Sequence, residues 1–303
     1  MSSGTLTISG KTLSLSNLDK PLYPSGFTKG QVIDYYARIA PVLLPHLKGR
    51  ALTLKRYPNG STGDYFYEKN CPAHRPPWVK TAAIESSRSE RGEIDYCVVE
   101  DKAALLWVAN LASLELHTHL AKAKSPDRPT MMAFDLDPTP PASMPDCCQL
   151  ALLLRDVLAG VGLQSVAKTS GGKGLHVYVP LNVPKVTSDD TKTFSRTVAE
   201  LLARQDPARV TANMAKHQRA GKILVDWSQN DAHKTTATVY SLRARAAPTV
   251  STPVTWAEVE ACAAGAVSDL TFTAPQVLAR VAKVGDLFAP VLKTRQSLPR
   301  AGT

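Results

Sequence analysis

The chain predicts an α+β fold: a split β-α-β-β-α-β unit with a mixed or antiparallel sheet, flanked by helices and preceded by an α/β module. The first observation behind this is Met131–Pro138, MMAFDLDP, an apolar run that enters two aspartates and is stopped by a proline. The second is a pair of strand-like stretches, 164–169 and 175–180, with only Ser170-Gly171-Gly172-Lys173-Gly174 between them. So short a link forces an antiparallel hairpin, because parallel neighbours need a crossover of about a dozen residues or more. The third is a pair of helical stripes around that hairpin. Leu150, Leu153, Leu154 and Val157 share one face of 146–159, and Phe194, Val198, Leu201 and Leu202 share one face of 194–203.

At 303 residues the chain is long enough for one large domain or two coupled lobes. Its net charge of +10 gives a basic surface that favours polyanions, nucleic acid above all. No apolar run is long enough to span a bilayer, and the N-terminus MSSGTLTISG lacks a signal-peptide core. Cys71, Cys97, Cys147, Cys148 and Cys262 are odd in number and lack zinc-ligand spacing, so five reduced thiols in a cytoplasmic protein are expected.

In chain order, residues 1–16 alternate about Gly10-Lys11 as a short hairpin, and 17–24 form a proline-punctuated loop. Thr28 suits the cap of a helix with Val32, Tyr35, Tyr36 and Ile39 on its apolar face. Lys29 then falls in the first turn, a poor place for a cation unless an anion binds there. Residues 51–57 read as a strand ending in Lys55-Arg56. Residues 65–69 read as another, with three aromatics of which at least one is expected to be exposed and the rest packed. After a helix at about 103–113, residues 114–119 alternate and place Glu115, His117 and His119 on one face, where they could bind metal or phosphate. A charged loop at 121–130 separates a module at 1–130 from a catalytic unit at 131–292, and residues 293–303, with Lys293, Arg295 and Arg300, read as a loose basic tail. Within the catalytic unit, strands are expected at 222–227 and 235–242, and an apolar helix near 275–284.

Four pieces carry chemistry. As a strand, 131–138 projects Asp135 and Asp137 from one face. Paired carboxylates repel one another unless a cation lies between them, and a hard divalent ion suits oxygen ligands. The glycine turn offers backbone N–H groups, a hydroxyl and the Lys173 ammonium to a phosphate chain, and His176 follows within reach. Asp226 ends an apolar strand and can complete three carboxylates, while Arg219, Arg243 and Arg245 suit polyphosphate. Together they describe two-metal phosphoryl or nucleotidyl transfer. A haloacid-dehalogenase-type phosphatase would also use Asp135-x-Asp137-x-Thr139, but it needs a parallel sheet, which the hairpin opposes. A non-catalytic nucleic-acid-binding module would be weakened by three carboxylates without metals.

With FDLDP at 134–138, SGGKGLHVY at 170–178, RAGKILVDWSQN at 219–230 and SLRAR at 241–245, the chain resembles the polymerase domain of bacterial DNA ligase D. That family lies in the archaeo-eukaryotic primase superfamily and serves non-homologous end joining. The resemblance implies that Asp135, Asp137 and Asp226 hold two metal ions, Mn²⁺ or Mg²⁺. It implies that His117, Ser170, Lys173, His176, Arg219, Arg243 and Arg245 hold the nucleoside triphosphate, and that Phe66 and Tyr67 stack on the template. Asn17, Lys20 and Lys29 would read a 5′-phosphate on a DNA end. Two departures are a Tyr67 where Phe is common and the loop Asp231-Ala232-His233, where relatives often carry glycine. The implied enzyme is a monomer that adds nucleotides, ribonucleotides preferentially, at gaps or annealed breaks in company with Ku and a DNA ligase. A primase starting without a primer is the alternative.

Overall fold

The computed structural model describes residues 2–87 and 89–299. In chain order it begins with β1 (Gly4–Ile8), β2 (Lys11–Leu15), α1 (Lys29–Leu47), β3 (Ala51–Arg56), β4 (Phe66–Glu68), β5 (Lys80–Glu85), β6 (Glu93–Val98), α2 (Lys102–Asn110) and β7 (Ser113–Thr118). There follow β8 (Met131–Pro138), α3 (Met144–Gly160), β9 (Val166–Thr169), β10 (Leu175–Pro180), α4 (Ser188–Gln205), β11 (Val210–Thr211) and β12 (Ile223–Asp226). The chain ends with β13 (Thr236–Ala237), β14 (Leu242–Ala244), β15 (Pro248–Val250), β16 (Pro253–Val254), α5 (Trp256–Ala263), α6 (Ala274–Val284) and α7 (Pro290–Lys293). These elements fall into two compact units. One takes the residues up to Lys124 with Thr235–Ser251 and Phe272–Gly285; the other takes Ser125–Lys234, Thr252–Thr271 and the residues from Asp286 on.

In the first unit a sheet of order β13-β7-β3-β6-β5, with β4 added beside β3, packs under α1 and α2. Helix α1 starts where expected. The Thr28 side chain accepts the Gln31 N–H and the Gln31 side chain accepts the Thr28 N–H, a reciprocal cap that satisfies two donors left over at the helix start. Its apolar face buries Val32, Tyr35, Tyr36, Ile39 and Leu43, and the tyrosine hydroxyls donate to the Tyr240 and Leu114 carbonyls. The aromatic strand departs from expectation: Tyr65, Phe66 and Tyr67 are all exposed, because β4 lies at a sheet edge with its face toward solvent. Residues 235–242 also differ. Only Thr236–Ala237 is strand, and it joins β7 of this unit; the chain then turns at Tyr240, φ 62°, before β14. Alternation marks a strand but not which sheet it will join. The cysteine expectation is corrected as well. Cys71 and Cys97 form a disulfide, their Cα atoms 4.8 Å apart, because the Cys71 N–H bonds the Asp95 carbonyl and so lies beside β6. Cys147, Cys148 and Cys262 are buried free thiols.

The second unit holds the split β-α-β-β-α-β motif as β8-α3-β9-β10-α4-β12, in a sheet ordered β11-β12-β8-β10-β9-β16. Central β8 runs antiparallel to both its neighbours, which removes the parallel sheet that the phosphatase reading required. Phe134 and Leu136 are fully buried on one face of β8. Helix α4 is longer than its apolar stripe suggested, because the Thr187–Asp190 capping box starts it early. The end of the chain is not loose up to Gln296. That residue's N–H bonds the Leu181 carbonyl, its amide bridges to Gln164 and Pro180, and Asn182 donates to the Val291 and Thr294 carbonyls. Arg300 lies outside the described residues. Among the described residues no helix is long and apolar enough to cross a membrane.

Candidate active site

The register of the second unit's sheet gathers the carboxylates. Asp135 on β8 stands directly opposite Asp226 on β12 and directly opposite His176 on β10, and Asp137 lies two residues along the same face. Directly opposed side chains have their Cβ atoms about 4.5–5.5 Å apart. The three aspartates and the imidazole are therefore neighbours by backbone geometry alone. His176 Nε2 lies 3.1 Å from Asp135 Oδ1. Asp226 is turned aside: one oxygen accepts from the Ser228 N–H and hydroxyl at 2.9 and 2.5 Å, the other from the Gln229 amide at 3.1 Å. As they stand, no three His, Cys, Asp or Glu side chains among the described residues form a ready metal cage. The donor set nevertheless fits a hard divalent ion, with three carboxylates on one face of adjacent strands.

Two residues of this site escape sequence reasoning. Asn230, buried at the end of the turn after Asp226, accepts the Ala133 N–H at 2.9 Å and donates to its carbonyl at 2.7 Å, pinning β8 two residues before Asp135. Lys168, 0% exposed, sits opposite His176 with Nζ 3.2 Å from Nδ1. The only signal for Lys168 was a cation in a strand-like stretch, which reads equally well as surface, and Asn230, between Gln229 and Asp231, gave none.

The glycine turn is built differently from its expected phosphate cradle. Ser170 Oγ accepts the N–H groups of Gly172 and Gly174 at 3.0 and 3.1 Å, so two of the loop's donors point inward. A Cβ on Gly174 would lie 2.0 Å from the Leu136 carbonyl oxygen, so only glycine lets the loop rest on β8 between the two aspartates. Lys173 remains exposed. Arg219 follows a short 3-10 turn and its guanidinium donates to the Met214 carbonyl.

In the first unit, Glu115 is the centre of a second cluster. It is 3% exposed and meets Arg243 at 3.3 Å, Lys55 at 3.7 Å, the Tyr57 hydroxyl at 3.2 Å and His117 Nε2 at 3.0 Å. Burial by itself would raise its pKa, but the His117 hydrogen bond and the Arg243 and Lys55 charges outweigh it and hold the carboxyl far below the usual range. Burial pushes His117 down, against the pull of Glu115. His119 turns instead to the Tyr96 ring, 5.2 Å between centroids, so the expected Glu115–His117–His119 trio does not assemble. Tyr67 packs edge-on to His117 at 6.0 Å, and Lys55 lies 4.1 Å over the Tyr65 ring. Arg56 lies 5.1 Å from the Phe66 ring. Arg245 is exposed next to this cluster in sequence.

Lys29 is buried at 6% exposure, and among the described residues no carboxylate pairs with it; its Nζ donates to Ser16 Oγ at 3.3 Å. Burial first, then the Lys20 and Arg56 charges, lowers its pKa to about 8. Lys20 Nζ donates to the Pro58 carbonyl, and the Asn17 carbonyl, from φ 56°, accepts the Lys20 N–H. A buried lysine with no carboxylate beside it among the described residues is a cation that an anion would stabilise.

The comparisons with known proteins follow from these same residues. A family profile described as "LigD, primase-polymerase domain" matches residues 28–288. The multifunctional non-homologous end joining DNA repair protein LigD of Mycobacterium tuberculosis is 41% identical over 92% of this chain and 37% of its own length. The bifunctional LigD of Bacillus subtilis is 32% identical over 95% of this chain and 45% of its own. The chain thus spans less than half the length of these relatives. A solved structure, the polymerase domain from Mycobacterium tuberculosis ligase D in complex with DNA, matches with a TM-score of 0.84 and 40% identity, covering 92% of this chain and 98% of that one.

Proposed function

The chain belongs to the LigD primase-polymerase domain family, a family of nucleotidyltransferases, and from that premise we propose that it extends a primer 3′ end across gaps or annealed double-strand breaks, copying a template. The observation that carries the reading is the register that sets Asp226 opposite Asp135, with Asp137 on the same face. These carboxylates would hold two divalent ions, Mn²⁺ or Mg²⁺. When bound, such ions lower the pKa of a 3′-hydroxyl and stabilise charge on the reacting phosphate and leaving pyrophosphate. His117, Ser170, Lys173, His176, Arg219, Arg243 and Arg245 are the triphosphate ligands that the family resemblance implies. Phe66 and Tyr67, both exposed on β4, suit stacking on template bases. Asn17, Lys20 and Lys29 take a 5′-phosphate. The residues up to 130 thus contact DNA ends and template, while those from 131 carry the chemistry.

Ribonucleotides are the favoured substrate in this reading, as the family resemblance implies. In this reading the protein acts in the cytoplasm at the nucleoid, with a Ku-type end-binding protein and a DNA ligase as partners; the relatives' names give the process, non-homologous end joining. The test is single-nucleotide addition on a gapped duplex with each metal and sugar, beside a primer-free template. Asp135→Ala, Asp137→Ala and Asp226→Ala should each abolish addition while leaving DNA binding intact or tighter, since negative charge is lost near a polyanion. An Asp137→Ala variant that keeps more than a small fraction of wild-type rate would sink the three-carboxylate site. Synthesis on the primer-free template would make the enzyme a primase.

A further inference from the structure

We propose that Lys168 is a positioning residue, whose buried ammonium donates to Nδ1 of His176 and so fixes the imidazole as the neutral tautomer with its proton on Nε2, facing Asp135. A lysine ammonium has three donors and no acceptor, and burying it without a partner is costly. Here Nζ lies 3.2 Å from Nδ1, and Lys168 and His176 are direct partners across β9 and β10. The backbone that carries the lysine is fixed. Strand β9 is held on its other side by β16, where Lys168 is registered opposite Pro253, and the Thr169 N–H bonds the Thr252 carbonyl at 2.7 Å.

The ring is fixed from the side as well. Tyr178 stacks on His176 with centroids 6.1 Å apart, is itself met edge-on by Phe288, and has Lys168 Nζ 5.5 Å from its ring centre. With Nδ1 accepting, the remaining proton of a neutral imidazole belongs to Nε2, because the bond at one ring nitrogen decides the state of the other. That nitrogen lies 3.1 Å from Asp135 Oδ1, on the carboxylate face of the sheet. A phosphate oxygen entering this face is an acceptor, and so is a carboxylate. The opposite tautomer would present a lone pair to both. Lys168 therefore decides whether His176 attracts or repels a triphosphate, without touching it. This last step rests on the polymerase reading; the tautomer itself does not.

The experiment reads the two apart. In protein free of metal, nucleotide and DNA, long-range ¹H–¹⁵N spectra of wild type should show His176 with an unprotonated Nδ1 and a protonated Nε2. Lys168→Met, close in volume but without a donor, should give a mixed or reversed tautomer. Lys168→Gln, which keeps an N–H donor, should largely restore the wild-type pattern. In single-addition kinetics Lys168→Met should raise KM for the nucleotide about tenfold or more with a smaller change in kcat, the scale of losing a partner that orients a histidine, and Lys168→Gln should recover most of it. A wild-type His176 protonated at Nδ1, or at both nitrogens, overturns the proposal even if Lys168→Met does not fold. So does a Lys168→Met variant with unchanged tautomer and KM. A wild type with the expected tautomer but no nucleotide addition would instead defeat the polymerase reading alone.

Discussion

Lys29 and Glu115 are buried charges of opposite sign, yet both have lowered pKa values, so each makes stability rise with pH, in a different pH window. Lys29 has its pKa lowered to about 8 from 10.5, so between those values the unfolded chain binds more protons and stability rises with pH. Binding an anion reverses this by favouring the charged lysine. Above about pH 8, association with a 5′-phosphorylated gap should therefore take up a proton, read as a dependence of binding heat on buffer ionisation enthalpy. Lys29→Met should lose that uptake; equal uptake in both proteins would separate Lys29 from the phosphate. Glu115 is depressed below its ordinary 4.5, so its contribution is present above that pH and is lost as pH falls through the folded value. Glu115→Gln leaves Arg243 and Lys55 facing a neutral group and should cost about 3–5 kcal/mol in chemical unfolding near pH 7. The gap between variant and wild type should narrow steadily as pH drops below about 4. A constant gap would mean that the carboxylate's charge is not what stabilises the cluster.

The hairpin β9–β10 and the strand β8 show what a sequence can disclose. Their order, their antiparallel sense and the placing of Asp135 and Asp137 on one face all follow from a five-residue link and a period of two. What did not follow was pairing across long separations: Asn230 on Ala133, Lys168 under His176, and Thr236–Ala237 leaving the second unit for β7. Hydrophobic period specifies which face is buried, not which distant partner covers it. The exposure of Tyr65, Phe66 and Tyr67, just before and on β4, did not follow for the same reason, since an edge position is a property of the sheet and not of the strand. The turn offers a direct test of how tightly these strands are assembled. A Cβ at Gly174 must push Leu136 or the loop aside, so Gly174→Ala should destabilise by about 1–3 kcal/mol, as overpacking does, and should reduce nucleotide addition by moving β8 beneath its carboxylates. Gly160→Ala, in α3 of the same unit with nothing within 4 Å of the added carbon, should be neutral or stabilising. Equal effects from the two would mean that the Gly174 contact does not constrain the turn.

A net charge of +10 draws the whole chain to DNA but cannot by itself distinguish one end from another. Discrimination needs a charge that is dehydrated and unpaired before DNA arrives. Some surface cations here are already matched, as in Lys80–Glu100, Arg155–Glu260 and Lys192–Asp231. Lys29 is a buried cation that the sequence flagged, in the first turn of α1, and its burial beside Lys20 and Arg56 deepens the conflict. A bound phosphate would relieve it, and a charge-assisted contact of this kind is typically worth roughly 1.5–3 kcal/mol. Wild type should therefore bind a gapped duplex with a downstream 5′-phosphate about tenfold or more tighter than its 5′-hydroxyl counterpart. Lys29→Ala should erase that difference while barely changing the hydroxyl substrate, and the slope of log affinity against log salt should become shallower by about one on the phosphate substrate only. Loss of affinity on both substrates, with the slope falling equally, would reduce Lys29 to one more unit of general charge. End recognition would then have to lie elsewhere in the molecule.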